Sequence, residues 1–388
     1  MSNVFAGMEA LDKKKNEEVS NNQIDLSEVL FDVIEDESAI SEMNAEIESM
    51  RIAEERFDIS FEQLKALHRS IDEFGISKGV ILAVDPDGYL EKNGLIPSYE
   101  SLNDLPTKDE NAEIALEGIG DKIKEYWNKI VKAMSALWDK IKAMFTRIFQ
   151  MFQSYEKVLN KLKENLKDKE FDDDKVKEKK FKTITANNFE NAVRYFNDKF
   201  VNLFDKISQK VETMVSSIED ENLEDYKKEM SELYSAVVNE NDDNESILGM
   251  KAEMDNDKPT WKSSGKSIFD NAKEDTLTNL GYSKVDVIID KIDSAISVLK
   301  SSGNIEKQVK VADKTNSEFE KAVKKLISEA KSNKDEDKVK ELDKKLKIAR
   351  TYINFNRISY TKMSNIVIKI AKTAIALGNA AKSVSKSK

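Results

Sequence analysis

Residues 118–166 read GIGDKIKEYWNKIVKAMSALWDKIKAMFTRIFQMFQSYEKVLNKLKENL, and the spacing of their apolar side chains dictates an α-helix. Ile119, Ile123, Trp127, Ile130, Met134, Leu137, Ile141, Phe145, Ile148, Phe152, Tyr155, Leu159, Leu162 and Leu166 follow one another by three or four residues. Thirteen such steps cover 47 residues, or about 3.6 residues per step, the period of the α-helix. The polar face is basic, with Lys122, Lys124, Lys129, Lys132, Lys140, Lys142 and Arg147 against Asp121, Glu125 and Asp139. A basic amphipathic helix with aromatics can lie on a membrane, but packing in a helix bundle explains the same pattern. The core of a bundle is the expectation, with Trp127, Trp138, Phe145 and Phe149 as the candidate interaction stripe.

Downstream, the Lys-rich residues 163–182 are expected to end or bend this helix. A second amphipathic helix begins near Thr185, a predicted N-cap, and carries Phe189, Val193, Phe196, Phe200, Leu203, Phe204, Ile207, Val211 and Met214 on its apolar side. A shorter helix is expected at residues 223–238. Residues 239–266, with an Asn/Asp cluster, Pro259 and Gly265, read as a linker or long loop. Helical periodicity returns after Ser283 and stops at residues 301–303, and helices with charged outer faces follow over 306–330 and 336–382. The expected fold is mainly α, an elongated antiparallel helical bundle with an acidic helical N-terminal segment, because apolar stripes of this width need partner helices. Its parts are a disordered N-terminus (1–25), an acidic helical segment (26–117), an amphipathic helical body (118–238), the linker (239–266) and a C-terminal helical bundle (267–388).

Upstream, the charge changes abruptly near residue 118. Residues 1–117 hold 28 Asp/Glu and 10 Lys/Arg, a net charge of −18; residues 118–388 hold 45 and 52, a net charge of +7. Such asymmetry means either that the two parts have different partners, or that one masks or is removed from the other. An ordinary acidic domain beside a near-neutral one gives the same numbers. Within the acidic part, residues 75–107 break the helical pattern with Pro86, Pro97, Pro106, Gly79, Gly88 and Gly94, and the apolar run 80–84 reads as one short strand among turns. The chain has no cysteine, which excludes disulfides and thiol chemistry. Its first residues lack the pattern of a secretory signal, and the most membrane-like stretch, 366–377, is short and interrupted by Lys369 and Lys372. A soluble protein is the expectation.

The search for catalytic chemistry is negative, and no enzyme activity or cofactor is expected. The single histidine, His68, lies on a predicted helix beside Arg69. No Walker A, GxGxxG, HExxH or GxSxG pattern occurs. Asp85-Pro86-Asp87-Gly88 matches part of a calcium loop without the EF-hand spacing, and Pro-Asp-Gly is a common turn. The acidic clusters at 172–174 and 242–245 read as solvated loops, so no metal site is expected.

Ala115-Leu116-Glu117 falls on the charge break, directly before Gly118. A small residue, any residue and Glu is the type of site cut by prohead proteases, and similar tripeptides occur at 53–55, 60–62, 98–100 and 217–219. Only the tripeptide at 115–117 coincides with the charge break. The acidic helical front, the Pro/Gly-containing residues 76–106, the 115–120 site and the aromatic, Lys-studded helix 123–152 together resemble an internal head (prohead core) protein of large tailed bacteriophages, made with a cleavable propeptide. The resemblance covers roughly residues 26–155. It implies synthesis in the host cytoplasm, packaging inside the capsid, and removal of the front part after Glu117 during head maturation, with Ala115, Leu116, Glu117 and Gly118 as substrate positions. It implies the prohead protease and other head proteins as partners, and a body that stays with DNA or is ejected. Loss of a −18 segment would leave a +7 body, compatible with weak, non-specific contact with packaged DNA. Two other readings stay open: a membrane-active or toxin-like helical protein using 119–152 or 366–377, and a scaffolding protein that works intact through helix–helix contacts.

Overall fold

The apolar period read over residues 119–166 lies in a single helix, α2, spanning Glu110–Leu166. The structure, a computed structural model, describes residues 78–88, 110–218, 249–255, 258–263, 265, 267–301, 303–331 and 336–388, with isolated positions elsewhere. All but a few α2 side chains before Trp138 lie outside that description. The described residues belong to one of the two units into which the chain divides, Met43–Lys388. The expected disordered residues 1–25 fall outside them, as does most of the helix expected at 223–238, of which Asp225, Lys228 and Ser231 are helical.

In chain order, α1 is Lys78–Val84, α2 is followed by β1 (Lys169–Phe171), α3 (Asp173–Glu178) and β2 (Phe181–Thr183), and then by α4 (Ala186–Tyr195). A π-helical turn, Phe196–Phe200, joins α4 to α5 (Val201–Ser216), so that the three form one rod. Strands β3 (Met250–Asp255) and β4 (Lys258–Ser263) precede β5 (Lys273–Asp275). Helices α6 (Val285–Ser301), α7 (Gly303–Lys331) and α8 (Glu336–Ser383) lead to β6 (Ser385–Ser387).

Side-chain pairs between the rods fix their directions. Lys163 reaches Asp293 and Lys300 reaches Glu156, while further along Trp138 and Lys142 reach Asp313; α6 and α7 therefore run one after the other, antiparallel to α2. Phe145 meets Tyr360, and Gly378 lies against Leu162, so α8 runs parallel to α2. Glu190 pairs with Lys291 and Glu212 with Lys314, which sets the α4–α5 rod parallel to α6–α7. The mainly helical bundle thus consists of two parallel pairs, α2 with α8 and α4–α5 with α6–α7, opposed to each other.

Local chemistry explains the ends of these helices. α2 stops at Leu166, where the Lys-rich stretch begins. The Thr185 hydroxyl accepts a hydrogen bond from the Asn188 N–H (3.3 Å) and caps α4, as the sequence predicts. Three antiparallel two-stranded sheets complete the fold: β1 with β6, β2 with β5, and β3 with β4. The first two close one end of the bundle. There the Asp172 N–H bonds to the Val384 carbonyl (2.9 Å) and the Lys388 N–H to that of Asp168 (3.1 Å). The Tyr282 hydroxyl donates to the Ile184 carbonyl (2.9 Å); burial, then the nearby Glu190 charge, pushes its pKa upward.

Three expectations are corrected. Residues 239–266 are not simply a loop, because β3 and β4 pair as a hairpin from Met250–Ser263 to Asp255–Lys258. Pro259, read as a breaker, is tolerated because a two-stranded sheet leaves free edges for a residue without an N–H. The run 80–84 is helical, within α1, because a short β-branched run has no period that separates strand from helix. It stops where the Asp85 N–H bonds to the Ile81 carbonyl and the Gly88 N–H to that of Asp85, a turn that Gly88 completes at φ 62°. Finally, among the described residues the charged outer face expected of α8 is reduced to exposed Lys338 and Lys344 near its start and, through its middle, a half-buried strip with Lys362, Lys369 and Lys372. From Tyr352 to Ala374 no residue is exposed and most are buried, including Asn356, Arg357, Ser359, Thr361 and Ser364.

Candidate functional site

The aromatic stripe is built from the α-helical period of α2, which turns Trp138, Phe145, Ile148, Phe152, Tyr155 and Leu159 into the bundle. Trp138 carries an indole N–H that would be costly to bury alone; it donates to Asp313 Oδ1 at 2.6 Å. Lys142 joins the same carboxylate at 3.1 Å and Asp139 at 2.9 Å. Burial draws the Lys142 pKa down, but its hydrogen bonds to Asp139 and Asp313 outweigh that, and the net shift is upward. On the inner face of the indole sits the Arg357 guanidinium, 5.2 Å from the ring, bonded to Asn316 Oδ1 and Asn354 Oδ1. Arg357 is 2% exposed. One turn further along, Phe145 meets the Tyr360 ring edge-on at 5.7 Å, and the Tyr360 hydroxyl contacts Ser208 Oγ at 3.1 Å. Burial pushes the Tyr360 pKa upward.

Of the four stripe residues, Trp138 and Phe145 are therefore joined in one packed layer with α7 and α8. Phe149 is half-buried, edge-on to Phe152 at 6.3 Å. Trp127 lies in α2, but its side chain is outside the described residues. The stretch 366–377 is core as well: Ile366, Val367, Ile368, Ile370, Ala371, Ala374 and Leu377 are all buried. Among the described residues, no helix is long and apolar enough to cross a membrane.

Ala115, Leu116, Glu117 and Gly118 lie within α2, with their side chains outside the described residues. The parallel register that pairs Trp138 with Arg357, Phe145 with Tyr360 and Leu162 with Gly378 runs on at equal rise along both helices. Continued that far, it would put Glu117 and Gly118 level with the start of α8 at Glu336. The antiparallel register to α6–α7 carries them beyond Lys331, the last residue of α7. Gly118 and Gly120, inside the helix here, each weaken it by about 1 kcal/mol relative to alanine.

The other candidates are structural. Asp172 caps α3 by accepting the Asp174 and Lys175 N–H groups, which holds its pKa below the usual carboxylate value. No group of three potential metal ligands occurs among the described residues. His68 and residues 242–245 lie outside them. Sequence reasoning missed the buried Arg357–Asn316 pair, whose residue types carry no burial signal. It also missed the docking of the hairpin, where Trp261 stacks on Phe355 at 5.6 Å and donates to Ser359 Oγ at 2.9 Å. A signal for the hairpin existed: Met250, Ala252 and Met254 alternate with Lys251, Glu253 and Asp255.

What fold and surroundings define is a mainly helical bundle in which the described aromatic side chains of the α2 stripe are spent on packing. The chain belongs to the phiKZ-like phage internal head proteins, whose family model matches residues 14–384. No curated protein and no solved structure matches it. Membership implies a structural role in the virion head and a place in the capsid interior.

Proposed function

We propose that this internal head protein is made with an acidic front segment that is cut off after Glu117 during head maturation, and that the body from Gly118 onward is packaged with the DNA. The carrying observation is a coincidence of three features at one point. The charge changes from −18 to +7 there. The Ala-Leu-Glu site lies there, in a helix weakened by Gly118 and Gly120. Continued at equal rise, the helical registers would put that point near the end of α7 and the start of α8, and cleavage requires it to be open to a protease there. A protease binds an extended segment, so the first turns of α2 must unwind, and the two glycines lower that cost.

Processing of this kind requires that the bundle survive the removal. The first described α2 side chain buried in it is Trp138, twenty residues beyond Gly118. Buried Leu67 and Ile81 would leave with the front segment. A +7 body of 271 residues is tolerated by packed DNA better than a −11 precursor. Ejection of the body with the genome is the next step the same reading suggests. A membrane-active role gains no support, since both of its apolar elements supply core residues.

N-terminal sequencing and intact mass of the chain from particles test the proposal. A species beginning at Gly118 is expected. A full-length chain in mature heads overturns the processing step and favours a scaffold that works intact.

A further inference from the structure

The exposed side of α2 carries a stripe that its buried side does not explain. Lys132, Lys140, Arg147, Lys157 and Lys161 succeed one another along it, separated by Ala136, Ala143, Gln150 and Ser154, and all are exposed. These nine positions cover 29 residues at the helical period, a line about 44 Å long without a carboxylate in it. α7 repeats the pattern: Lys307, Lys310, Lys314, Lys321 and Lys324, with Ser317 and Ser328, form an exposed stripe that also lacks an acidic member.

The shared contacts of Trp138 and Lys142 with Asp313 set the two stripes side by side, with Lys310–Lys324 of α7 alongside Lys132–Arg147 of α2. Asp139 and Asp313, at the junction, both hold Lys142. Lys132, Arg147, Lys157, Lys161, Lys307, Lys321 and Lys324 make no ion pair among the described residues. The basic excess is local: α6 exposes Asp286, Asp290 and Asp293 instead.

We infer that the paired outer faces of α2 and α7 are a docking surface for the phosphate backbone of duplex DNA, read without regard to sequence. The inference rests on the proposed packaging of the body with DNA and names the surface that makes the contact. Duplex DNA presents one negative charge per about 1.7 Å of axis, and a straight line of lysines and one arginine can follow it and release counterions. Contacts of lysines with the phosphate backbone position the duplex and do not specify its sequence. An anionic membrane is the poorer match. Its binding helices place Trp, Phe or Leu between the cations, where this stripe has Ala, Gln and Ser.

The test uses the purified full chain and a labelled short duplex of mixed sequence, titrated by fluorescence anisotropy between about 50 and 200 mM salt. One variant combines Lys132→Gln, Arg147→Gln, Lys157→Gln, Lys321→Gln and Lys324→Gln. A charge-matched control combines Lys177→Gln, Lys180→Gln, Lys182→Gln, Lys273→Gln and Lys284→Gln, all exposed near the sheet-closed end. The first set is expected to weaken binding about tenfold or more and to flatten the log–log salt slope by up to about 0.9 for each phosphate no longer neutralised. The control is expected to keep both, and circular dichroism melts to be alike for all three proteins. Absence of salt-dependent binding by the parent chain overturns the inference, as does an equal weakening in both variants. So does binding to anionic vesicles that responds to the first set while duplex binding does not. Processing is read from the mass of the particle-derived chain and not from this titration, so either idea can fail alone.

Discussion

α2 and α8 run in parallel through the same bundle, both are long, and both contain a stretch with some likeness to a membrane element, yet they are buried in opposite ways. α2 has one apolar side and one basic side. α8 is packed on most sides, with a half-buried strip at Asn354, Lys362 and Lys369, and between Tyr352 and Ala374 it buries hydroxyls, an amide and a guanidinium together with its aliphatic residues. It can do so because the short hydroxyls turn back on the helix: Ser359 donates to the Phe355 carbonyl (2.8 Å) and Ser364 to that of Tyr360 (3.0 Å). A central helix therefore need not be greasy. Its neighbours cover it, and its polar groups are satisfied locally or by a layer such as Trp138–Arg357–Asn316.

The comparison breaks most visibly where the two helices touch. Phe145→Ala and Tyr360→Ala are each expected to cost about 3–5 kcal/mol in chemical denaturation. The double variant should lose less than the sum by about 0.5–1.5 kcal/mol, the edge-to-face term. Costs below about 1 kcal/mol would show that the layer is not central. Next, at Gly378 α8 lies close to both α2 and α6; a Cβ there would stand 3.1 Å from Leu162 Cδ1 and 3.3 Å from Ile292 Cδ1. Gly378→Leu should destabilise by about 1–3 kcal/mol, with Gly378→Ala milder. On the outer side of α2, Lys132→Gln and Arg147→Gln should change stability by no more than about 0.5 kcal/mol, which sharpens the contrast with α8.

The smallest effect lies at the sheet-closed end. The Asn279 amide, then the Thr276 N–H, hold the Asp275 carboxyl below its ordinary pKa of 3.8, and N–H groups at the start of α3 do the same for Asp172. A pKa depressed by folding contributes stability above the unfolded value and loses it as pH falls through the folded one. Melting temperature should therefore decline below about pH 4, and Asp275→Asn should make that decline shallower.

Legibility follows the number of sides buried. The period of α2, its end at Leu166, the Thr185 cap and the break between α6 and α7 are readable, because one-sided burial and capping leave local marks. The deep burial of polar groups on α8 is not, since Arg357 and Lys345 on a helix look solvated until neighbouring elements enclose them. The 78–84 helix and the 250–263 hairpin escape a sequence reading because short apolar runs and a proline are ambiguous without their tertiary contacts. The Ala115–Gly118 site is legible as a motif on a charge break; its relation to the end of α7 and the start of α8 needs the helical registers.

The pairing of Lys169 with Ser387 bears on how the chain is made. α2 emerges from the ribosome more than two hundred residues ahead of β6, and its apolar side is covered only in part, by α6 and α7, until α8 follows. Non-local closure of this kind is slow, and the uncovered intermediate is prone to aggregate. A ribosome that stalls before α8 would release a polypeptide whose long helix α2 keeps part of its apolar side sticky, so quality control during synthesis matters to this protein before any capsid exists to receive it.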